Sequence, residues 1–259
     1  MFTEACGVRV FYEIRGETGS NVVLLHGWGC SAKMMESLAD RLMKNHRVMV
    51  LDFPGHGQSG RPTEPWGVPE FSACLKDLLE QTHFVPCAVV GHSFGCRIAA
   101  WSASEWPSLF SKMVFTGAAG LRAEPTEKGK KRAQAYLKKK KMVKYLESIP
   151  LLSSIGQKMG KRLIQRYGSA DYIALDEDMR RTFVKVINLD LRDRYPRIRQ
   201  STLLIWGDSD TETPLWMGNE MKKLIPDAGL VILEGGSHFA YLEQAARFNL
   251  IVDHFLLEA

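Results

Sequence analysis

The stretch that decides the fold is CAVVGHSFGCRIAA, residues 87–100. Its first half is an apolar run typical of a strand that is buried on both faces. Its second half, from Phe94, has the composition of a helix, which Pro107 ends. Between the halves, Ser93 stands in the middle of a Gly-x-Ser-x-Gly pattern. The stretch therefore predicts a strand, a sharp turn that exposes a serine, and a helix.

Similar apolar runs recur along most of the chain, and helical spacing of apolar residues follows most of them. This alternation predicts an α/β fold, with a mainly parallel central sheet and helices on both of its faces. The predicted strands lie in VRVFYEIRG (8–16), NVVLLHG (21–27), RVMVLDFPGHG (47–57), CAVVGHS (87–93), KMVFTG (112–117), TLLIWGDSD (202–210) and GLVILEGG (229–236). The predicted helices span residues 33–44, 69–83, 94–106, 214–224 and 240–257.

The alternation stops between residues 121 and 196, where helical stretches occur without a clear strand. We therefore predict a helical cap, residues 121–196, inserted into a core that consists of residues 1–120 and 197–259. Two apolar helix faces are predicted in the cap: Met142, Tyr145, Leu146 and Ile149 form one, and Met159, Leu163 and Tyr167 form the other.

The net charge of +5 is distributed unevenly along the chain. Residues 121–166 hold fourteen Lys or Arg but three Asp or Glu, and the remainder is mildly acidic. One interpretation of KGKKRAQAYLKKKK (128–141) is a solvated helix with Ala133, Tyr136 and Leu137 inward. The other is attraction of an anionic substrate, a membrane or another polyanion. Sparse aromatic residues and the acidic remainder argue against nucleic-acid binding.

Composition excludes several classes of protein. The chain starts without a basic and apolar leader, and no apolar run is long enough to cross a membrane. The five cysteines form no C-x-x-C pair, which favours reduced thiols and a cytoplasmic protein. Neither metal-ligand spacing nor a G-x-G-x-x-G motif occurs, so we expect no metal and no cofactor. The oligomeric state is not predicted.

A serine hydroxyl needs a base to act as a nucleophile, and the base in turn needs an orienting acid. Of the seven histidines, His238 follows the last predicted strand on a Gly-rich loop, at the sheet edge where Ser93 is expected. We therefore interpret His238 as the base. By contrast, His46, His83 and His254 are expected in helices or at helix ends, exposed to solvent.

The acid is expected at the strand end that precedes the His238 loop. The stretch LLIWGDSDTETP (203–214) offers Asp208 and Asp210, with Glu212 as a weaker alternative. An aspartate here has a structural alternative, which is to cap the turn or the helix that begins near Pro214. The residues alone leave Asp208 and Asp210 open.

Five motifs occur in an order that is characteristic of one superfamily. They are HGWG (26–29), DFPGHGQS (52–59), GHSFG (91–95), GDSDTETP (207–214) and GSHF (236–239). With these motifs the chain resembles the α/β-hydrolase superfamily, especially its compact, capped, esterase-like members, over nearly all of its length outside the cap. The resemblance implies that Ser93 is the nucleophile, Asp210 the orienting acid and His238 the base.

The same resemblance implies an oxyanion hole, which needs two backbone N–H donors. One donor is expected at Phe94, where the helix dipole adds to the field, and the other at Trp28 in the HGWG turn. The residues expected to shape the two turns are His26, Gly27, Gly91, His92 and Gly95.

The reaction expected from these residues is hydrolysis of a carboxylic ester, or a related acyl bond, of a small molecule through an acyl-enzyme on Ser93. An anionic ester would suit the basic cap. One alternative is a ligand-binding protein without activity. Another is a lyase, carbon–carbon hydrolase or perhydrolase with the same triad, although HGWGCSAKMM (26–35) does not resemble the loop of carbon–carbon hydrolases, which is richer in Gly and Asn after HG.

Overall fold

The structure is a computed structural model that describes residues 1–124 and 126–257. Pro125, which belongs to the predicted cap, and Glu258 and Ala259, which belong to the predicted core, lie outside the described residues. The strands are β1 (Phe2–Ala5), β2 (Val8–Arg15), β3 (Asn21–Leu25), β4 (Arg47–Leu51), β5 (Cys87–His92), β6 (Phe110–Thr116), β7 (Thr202–Gly207) and β8 (Ala228–Leu233).

These strands form one sheet in the order β1-β2-β4-β3-β5-β6-β7-β8. Strands β1 and β2 pair antiparallel, as do β2 and β4, and all the other neighbouring strands pair parallel. The carboxyl ends of β3 to β8 therefore lie along one edge of the sheet, which is where ligands bind in folds of this type. The predicted fold class, a mainly parallel sheet in an α/β protein, is confirmed.

Helices cover both faces of this sheet. Alternate residues of β5 belong to different buried clusters: Val89 packs with side chains of α2 and α3, and Val90 packs with side chains of α1 and α10. This alternation is the reason that the central strands are apolar at every position. The helices are α1 (Glu36–Leu42), α2 (Val68–Gln81), α3 (Phe94–Glu105), α4 (Glu127–Ser148), α5 (Ser153–Tyr167), α6 (Ala170–Ala174), α7 (Glu177–Asn188), α8 (Leu215–Leu224), α9 (Ala240–Glu243) and α10 (Ala245–Leu257).

Three local predictions were wrong. The sequence prediction did not include β1. The predicted helix 33–44 begins as a 3-10 turn, Ala32–Met35, before α1. The predicted helix 240–257 is interrupted at Gln244, whose backbone (φ −118°, ψ 42°) is not helical and separates α9 from α10.

One histidine is also placed differently from its prediction. His46 is buried, not solvated, and its Nδ1 lies 2.9 Å from the hydroxyl oxygen of Ser20. His83 and His254 are exposed, as the sequence predicted.

The chain divides into two compact units. The first consists of Met1–Leu121 and Val184–Ala259 and holds the whole sheet. The second consists of Arg122–Phe183 and holds α4, α5, α6 and the first part of α7. In the second unit, Gly156 lets α5 lie close to α4, because a Cβ there would be 2.8 Å from the backbone nitrogen of Glu147.

The buried side of α4 differs from the prediction. Val143 is buried, whereas Met142 and Tyr145, two members of the predicted apolar face, are exposed. Ala133 and Leu137, which were expected inward, are exposed too. The periodicity failed because apolar residues occur on several sides of this lysine-rich helix, so spacing alone does not select one side.

No helix among residues 1–124 and 126–257 is long and apolar enough to cross a membrane.

Candidate active site

Ser93 occupies the sharp turn between β5 and α3. Its backbone has φ 50° and ψ −105°, a strained conformation that non-glycine residues rarely adopt. Two hydrogen bonds, one to the last residue of β6 and one from the loop that follows it, hold the turn: the Ser93 N–H donates to the Thr116 carbonyl (3.0 Å), and the Ala119 N–H donates to the Ser93 carbonyl (3.2 Å). The side chain is half-buried, so Ser93 Oγ is presented at the carboxyl edge of the sheet.

The two glycines of the motif are needed for close approach of backbones. A Cβ at Gly95 would lie 2.4 Å from the carbonyl oxygen of Leu25 and 2.7 Å from its Cβ. A Cβ at Gly91 would lie 2.8 Å from the backbone nitrogen of Cys96. Gly95 therefore lets α3 start directly against the end of β3, and Gly91 lets the end of β5 lie close to the first turn of α3.

Asp210 and His238 form a buried hydrogen-bonded pair. Asp210 follows β7, His238 follows β8, and His238 Nδ1 lies 2.8 Å from Asp210 Oδ2. Since a carboxylate can only accept, this contact requires the proton on Nδ1 and leaves Nε2 of neutral His238 as an acceptor.

The loop after β7 fixes the Asp210 carboxylate with further donors. Asp210 Oδ1 accepts from the N–H groups of Glu212 and Thr213, both at 2.9 Å, and Oδ2 accepts from the Thr213 hydroxyl at 2.8 Å. Burial raises the pKa of Asp210, but the hydrogen bonds from His238 and Thr213 outweigh it and lower the pKa below its ordinary value. Asp210 is therefore a carboxylate at neutral pH.

Thr213 is a site residue that sequence reasoning missed. Its hydroxyl contacts Asp210 Oδ2 and also lies 3.2 Å from His238 Nδ1. The only sequence signal was its place three residues after Asp210, a spacing that favours a side chain folding back onto a loop aspartate.

His92 connects the nucleophile turn to the His238 loop. Its Nε2 lies 3.0 Å from the carbonyl oxygen of His238, and the two imidazole centroids are 4.8 Å apart. Burial lowers the pKa of His92 to about 3, so the ring is neutral and donates from Nε2. The sequence predicted a turn residue here but did not predict this contact.

Ser93 and His238 lie on adjacent segments. Gly117 directly follows Thr116, which accepts the Ser93 N–H, and a Cβ at Gly117 would lie 3.1 Å from His238 Nδ1. Within the described chain no hydrogen bond joins Ser93 Oγ to His238. In enzymes without substrate such contacts are often long and become shorter in the reacting complex. The structure thus pairs Asp210 with His238 directly, and brings Ser93 beside them.

The two residues predicted to donate to an oxyanion flank Ser93. Phe94 is the first residue of α3, so its N–H has no acceptor within the helix and lies at the positive end of the helix dipole. Trp28 lies in a turn closed by a hydrogen bond from the Cys30 N–H to the Gly27 carbonyl (3.2 Å). The rings of Trp28 and Phe94 meet edge to face with centroids 5.2 Å apart.

His26 and Gly27 place the turn that contains Trp28. His26 Nε2 accepts from the Phe53 N–H (3.0 Å), and burial lowers the pKa of His26 to about 3, so it stays neutral. A Cβ at Gly27 would lie 2.7 Å from Nδ1 of His92. Gly27 therefore allows the turn after β3 to lie against the residue that precedes Ser93.

Asp208, the alternative acid, and Asp52 of the DFPGHGQS motif have structural contacts instead. Asp208 is exposed and accepts the Gly235 N–H (2.8 Å), which joins the loops after β7 and β8. Asp52 accepts the N–H groups of Ala32 (2.6 Å) and Gln58 (2.7 Å), which orders the loop after β4. Among the described residues, no group of His, Cys, Asp or Glu has an arrangement suited to a metal ion.

Comparison with known proteins identifies the family. A sequence model described as "Alpha/beta hydrolase family" matches residues 22–249. The chain therefore belongs to the α/β hydrolase family, and the resemblance stated from its motifs is confirmed.

Named relatives carry out several reactions on this fold. The chain is 26% identical over 275 residues to a 2-hydroxy-6-oxononadienedioate/2-hydroxy-6-oxononatrienedioate hydrolase of Escherichia coli, covering 97% of this chain and 92% of that one. It is 22% identical over 247 residues to a pimeloyl-[acyl-carrier protein] methyl ester esterase of Aliivibrio fischeri, covering 92% and 94%. An esterase structure from Exiguobacterium antarcticum superposes with a TM-score of 0.76 at 22% identity, covering 99% of each chain.

Proposed function

We propose that this α/β hydrolase is a serine hydrolase that cleaves a carboxylic ester of a small molecule through an acyl-enzyme on Ser93. The observation that supports the proposal most strongly is the buried Asp210–His238 pair, 2.8 Å between Oδ2 and Nδ1, beside a serine in a strained turn. A nucleophile, a base and an acid in these relative positions are what acyl transfer requires.

In the proposed acylation step, Ser93 Oγ attacks the ester carbonyl carbon and its proton passes to His238 Nε2. The tetrahedral intermediate then expels the alcohol, which takes that proton from His238 and leaves an ester on Ser93. In deacylation, water attacks this ester, gives its proton to His238, and the proton returns to Ser93 as the acid leaves. The residues regain their original protonation states.

The proposed roles of the surrounding groups follow from their contacts. Asp210, held as a carboxylate, keeps the Nδ1–H tautomer of His238 and stabilises the imidazolium that forms in each step. The N–H groups of Trp28 and Phe94 stabilise the negative charge on the carbonyl oxygen, an effect worth about 3–4 kcal/mol for one donor in a comparable site.

The named relatives support an ester substrate but also suggest a second candidate. The methyl ester esterase and the esterase structure favour ester hydrolysis. The Escherichia coli relative is a hydrolase of 2-hydroxy-6-oxononadienedioate, which favours cleavage next to a ketone by the same residues. A direct comparison of rates on a nitrophenyl ester and on a 2-hydroxy-6-oxodienoate separates the two activities.

Covalent labelling tests the proposed nucleophile. We would treat the protein with a fluorophosphonate and measure intact mass for the wild type, Ser93→Ala and Ser209→Ala. Ser209 is an exposed serine in the loop after β7 and serves as the matched control. The expected result is one adduct on the wild type and on Ser209→Ala, and none on Ser93→Ala.

The wild type, before any treatment with the fluorophosphonate, should also hydrolyse at least one member of a panel of p-nitrophenyl esters that differ in chain length and charge. Absence of an adduct on the wild type would contradict the proposal and favour a ligand-binding protein without activity. Labelling of Ser93 without turnover of any ester, but with turnover of the oxodienoate, would favour the second candidate.

A further inference from the structure

The hairpin formed by α4 and α5 carries a large excess of positive charge. Residues 127–166 include thirteen Lys or Arg and two Glu. Within the described part of this segment, one ion pair occurs, between Lys130 and Glu127 (2.8 Å), and both of its members are exposed. The remaining cations are therefore not neutralised by carboxylates of the hairpin itself.

The basic side chains of α4 include two contrasting groups. Those of Arg132, Lys139 and Lys140 lie over tyrosine rings of the hairpin, with distances of 5.6–5.9 Å between the charged group and the ring centroid. By contrast, no ion pair, hydrogen bond or ring contact involves Lys138, Lys141 or Lys144 in the described structure, and all three are exposed.

Exposed apolar side chains occur on the same hairpin as these lysines. On α4 they are Leu137, Met142 and Tyr145, and Tyr145 is 68% exposed. At the connection to α5 they are Leu151, which is 92% exposed, and Ile155. Because Lys141 is four residues from both Leu137 and Tyr145, all three project from one side of the helix.

We infer that the α4–α5 hairpin is a docking surface for an anionic lipid bilayer. Lysines within a Debye length of such a surface are attracted to its headgroups, and apolar side chains can enter the boundary with the acyl chains. Positive charge alone would suit an acidic protein or any other polyanion. The exposed Leu151 and Ile155, on the same hairpin as the exposed lysines, favour a surface that is both charged and apolar.

The experiment is vesicle flotation with the full chain, independent of any activity of Ser93. We would compare vesicles of pure phosphatidylcholine with vesicles that contain about 30% phosphatidylglycerol, a composition in the range of anionic membranes. The expected result is flotation with the anionic vesicles at low salt, little with the neutral ones, and loss at high ionic strength as charges are screened.

Two variants test the residues that carry the inference. The triple change Lys138→Gln, Lys141→Gln, Lys144→Gln should lower the partition coefficient roughly 100-fold, since each lysine contributes about fivefold near an anionic surface. The double change Leu151→Ser, Ile155→Ser should lower it about tenfold or more, because it removes two apolar side chains from the lipid boundary.

The matched control has the same change in net charge on the sheet-containing unit: Lys44→Gln, Lys222→Gln, Lys223→Gln, three exposed lysines. It should float like the wild type. Failure of the wild type to float with anionic vesicles would overturn the inference, as would equal loss in the control. Flotation that is insensitive to Leu151→Ser, Ile155→Ser and is abolished by soluble polyglutamate would also overturn it, in favour of an acidic macromolecule.

Discussion

The strand-end site and the α4–α5 hairpin hold their charged groups in opposite ways. In the site, Asp210 and His238 are buried, and both oxygens of the carboxylate accept hydrogen bonds from nearby donors. In the hairpin, Lys138, Lys141 and Lys144 are exposed and have no such contacts among the described residues. One region depends on exact partners, and the other depends on the number and sign of its charges.

This difference follows from desolvation. A buried charge must be paired and hydrogen-bonded, because burying it without partners costs several kcal/mol. An exposed charge keeps its water and contributes little to stability wherever it stands on the surface. A buried charged position therefore allows very few residue types. On an exposed helix, by contrast, a lysine can move to a neighbouring surface position with little effect on stability.

The sharpest test of this contrast compares two aspartates that are two residues apart, Asp208 and Asp210. Asp210→Asn should lower kcat for ester hydrolysis roughly 10⁴-fold, the size of effect known for the equivalent change in a serine protease triad. The physical reason is that an amide can present its N–H to Nδ1 and stabilise the wrong tautomer of His238. Asp208→Asn should change kcat by less than about fivefold, since Asp208 is exposed and contacts a loop N–H.

Steady-state rates of both variants on the best nitrophenyl ester provide the measurement. Circular dichroism checks that each is folded. An equal loss for the two variants would indicate that the loop as a whole matters, and that Asp210 has no distinct role as the orienting acid.

The backbone turns and loops that surround the site were predictable from sequence because short motifs encode them. Gly91 and Gly95 predicted the close turn around Ser93, and the order of the motifs predicted loops at the carboxyl edge of the sheet. The resemblance selected Asp210 over Asp208, which the residues alone had left open. The catalytic roles themselves stay predictions until the experiments above are done.

Side-chain contacts between loops were not predictable in the same way. The contact from the Thr213 hydroxyl to His238 and the contact from His92 to the His238 carbonyl depend on how separate loops meet in space. No spacing rule in a single sequence states that geometry. For similar reasons the short β1 was missed: four residues with mixed polarity carry too weak a pattern.

A second test asks whether the close packing of backbone around Ser93 requires glycine. Gly95→Ala should lower the free energy of unfolding by about 1–3 kcal/mol, the usual cost of overpacking, because its Cβ would lie 2.4 Å from the Leu25 carbonyl oxygen. Gly229→Ala is the matched control in β8, where the nearest atom to a Cβ is a side-chain carbon at 3.7 Å. The control should be neutral or slightly stabilising.

Thermal unfolding measures both changes. A loss of this size corresponds to roughly 2–12 °C in the unfolding midpoint for a domain of this size class. If Gly95→Ala and Gly229→Ala had the same midpoint, the close approach of α3 to β3 would not be what requires glycine in the motif.

The most local expected effect concerns the hairpin, and it tests which side of α4 is buried. Val143 is 6% exposed and packs beneath α5, where a Cβ at Gly160 would lie 3.3 Å from Val143 Cγ1. Val143→Ala should therefore cost roughly 2 kcal/mol locally, from two lost methyl groups and the cavity they leave. Met142→Ala should change stability by less than about 0.5 kcal/mol, because Met142 is exposed.

Amide hydrogen exchange across α4 measures the free energy of local unfolding of this helix directly. Val143→Ala should reduce the protection factors of this helix by roughly 30-fold, as about 1.4 kcal/mol corresponds to a factor of ten, and Met142→Ala should leave them within about twofold. The reverse ranking would restore the apolar face that periodicity predicted, with Met142 and Tyr145 packed inward. In that case Tyr145 would not be exposed beside Lys141, and the hairpin would lose the mixed charged and apolar surface on which lipid docking depends.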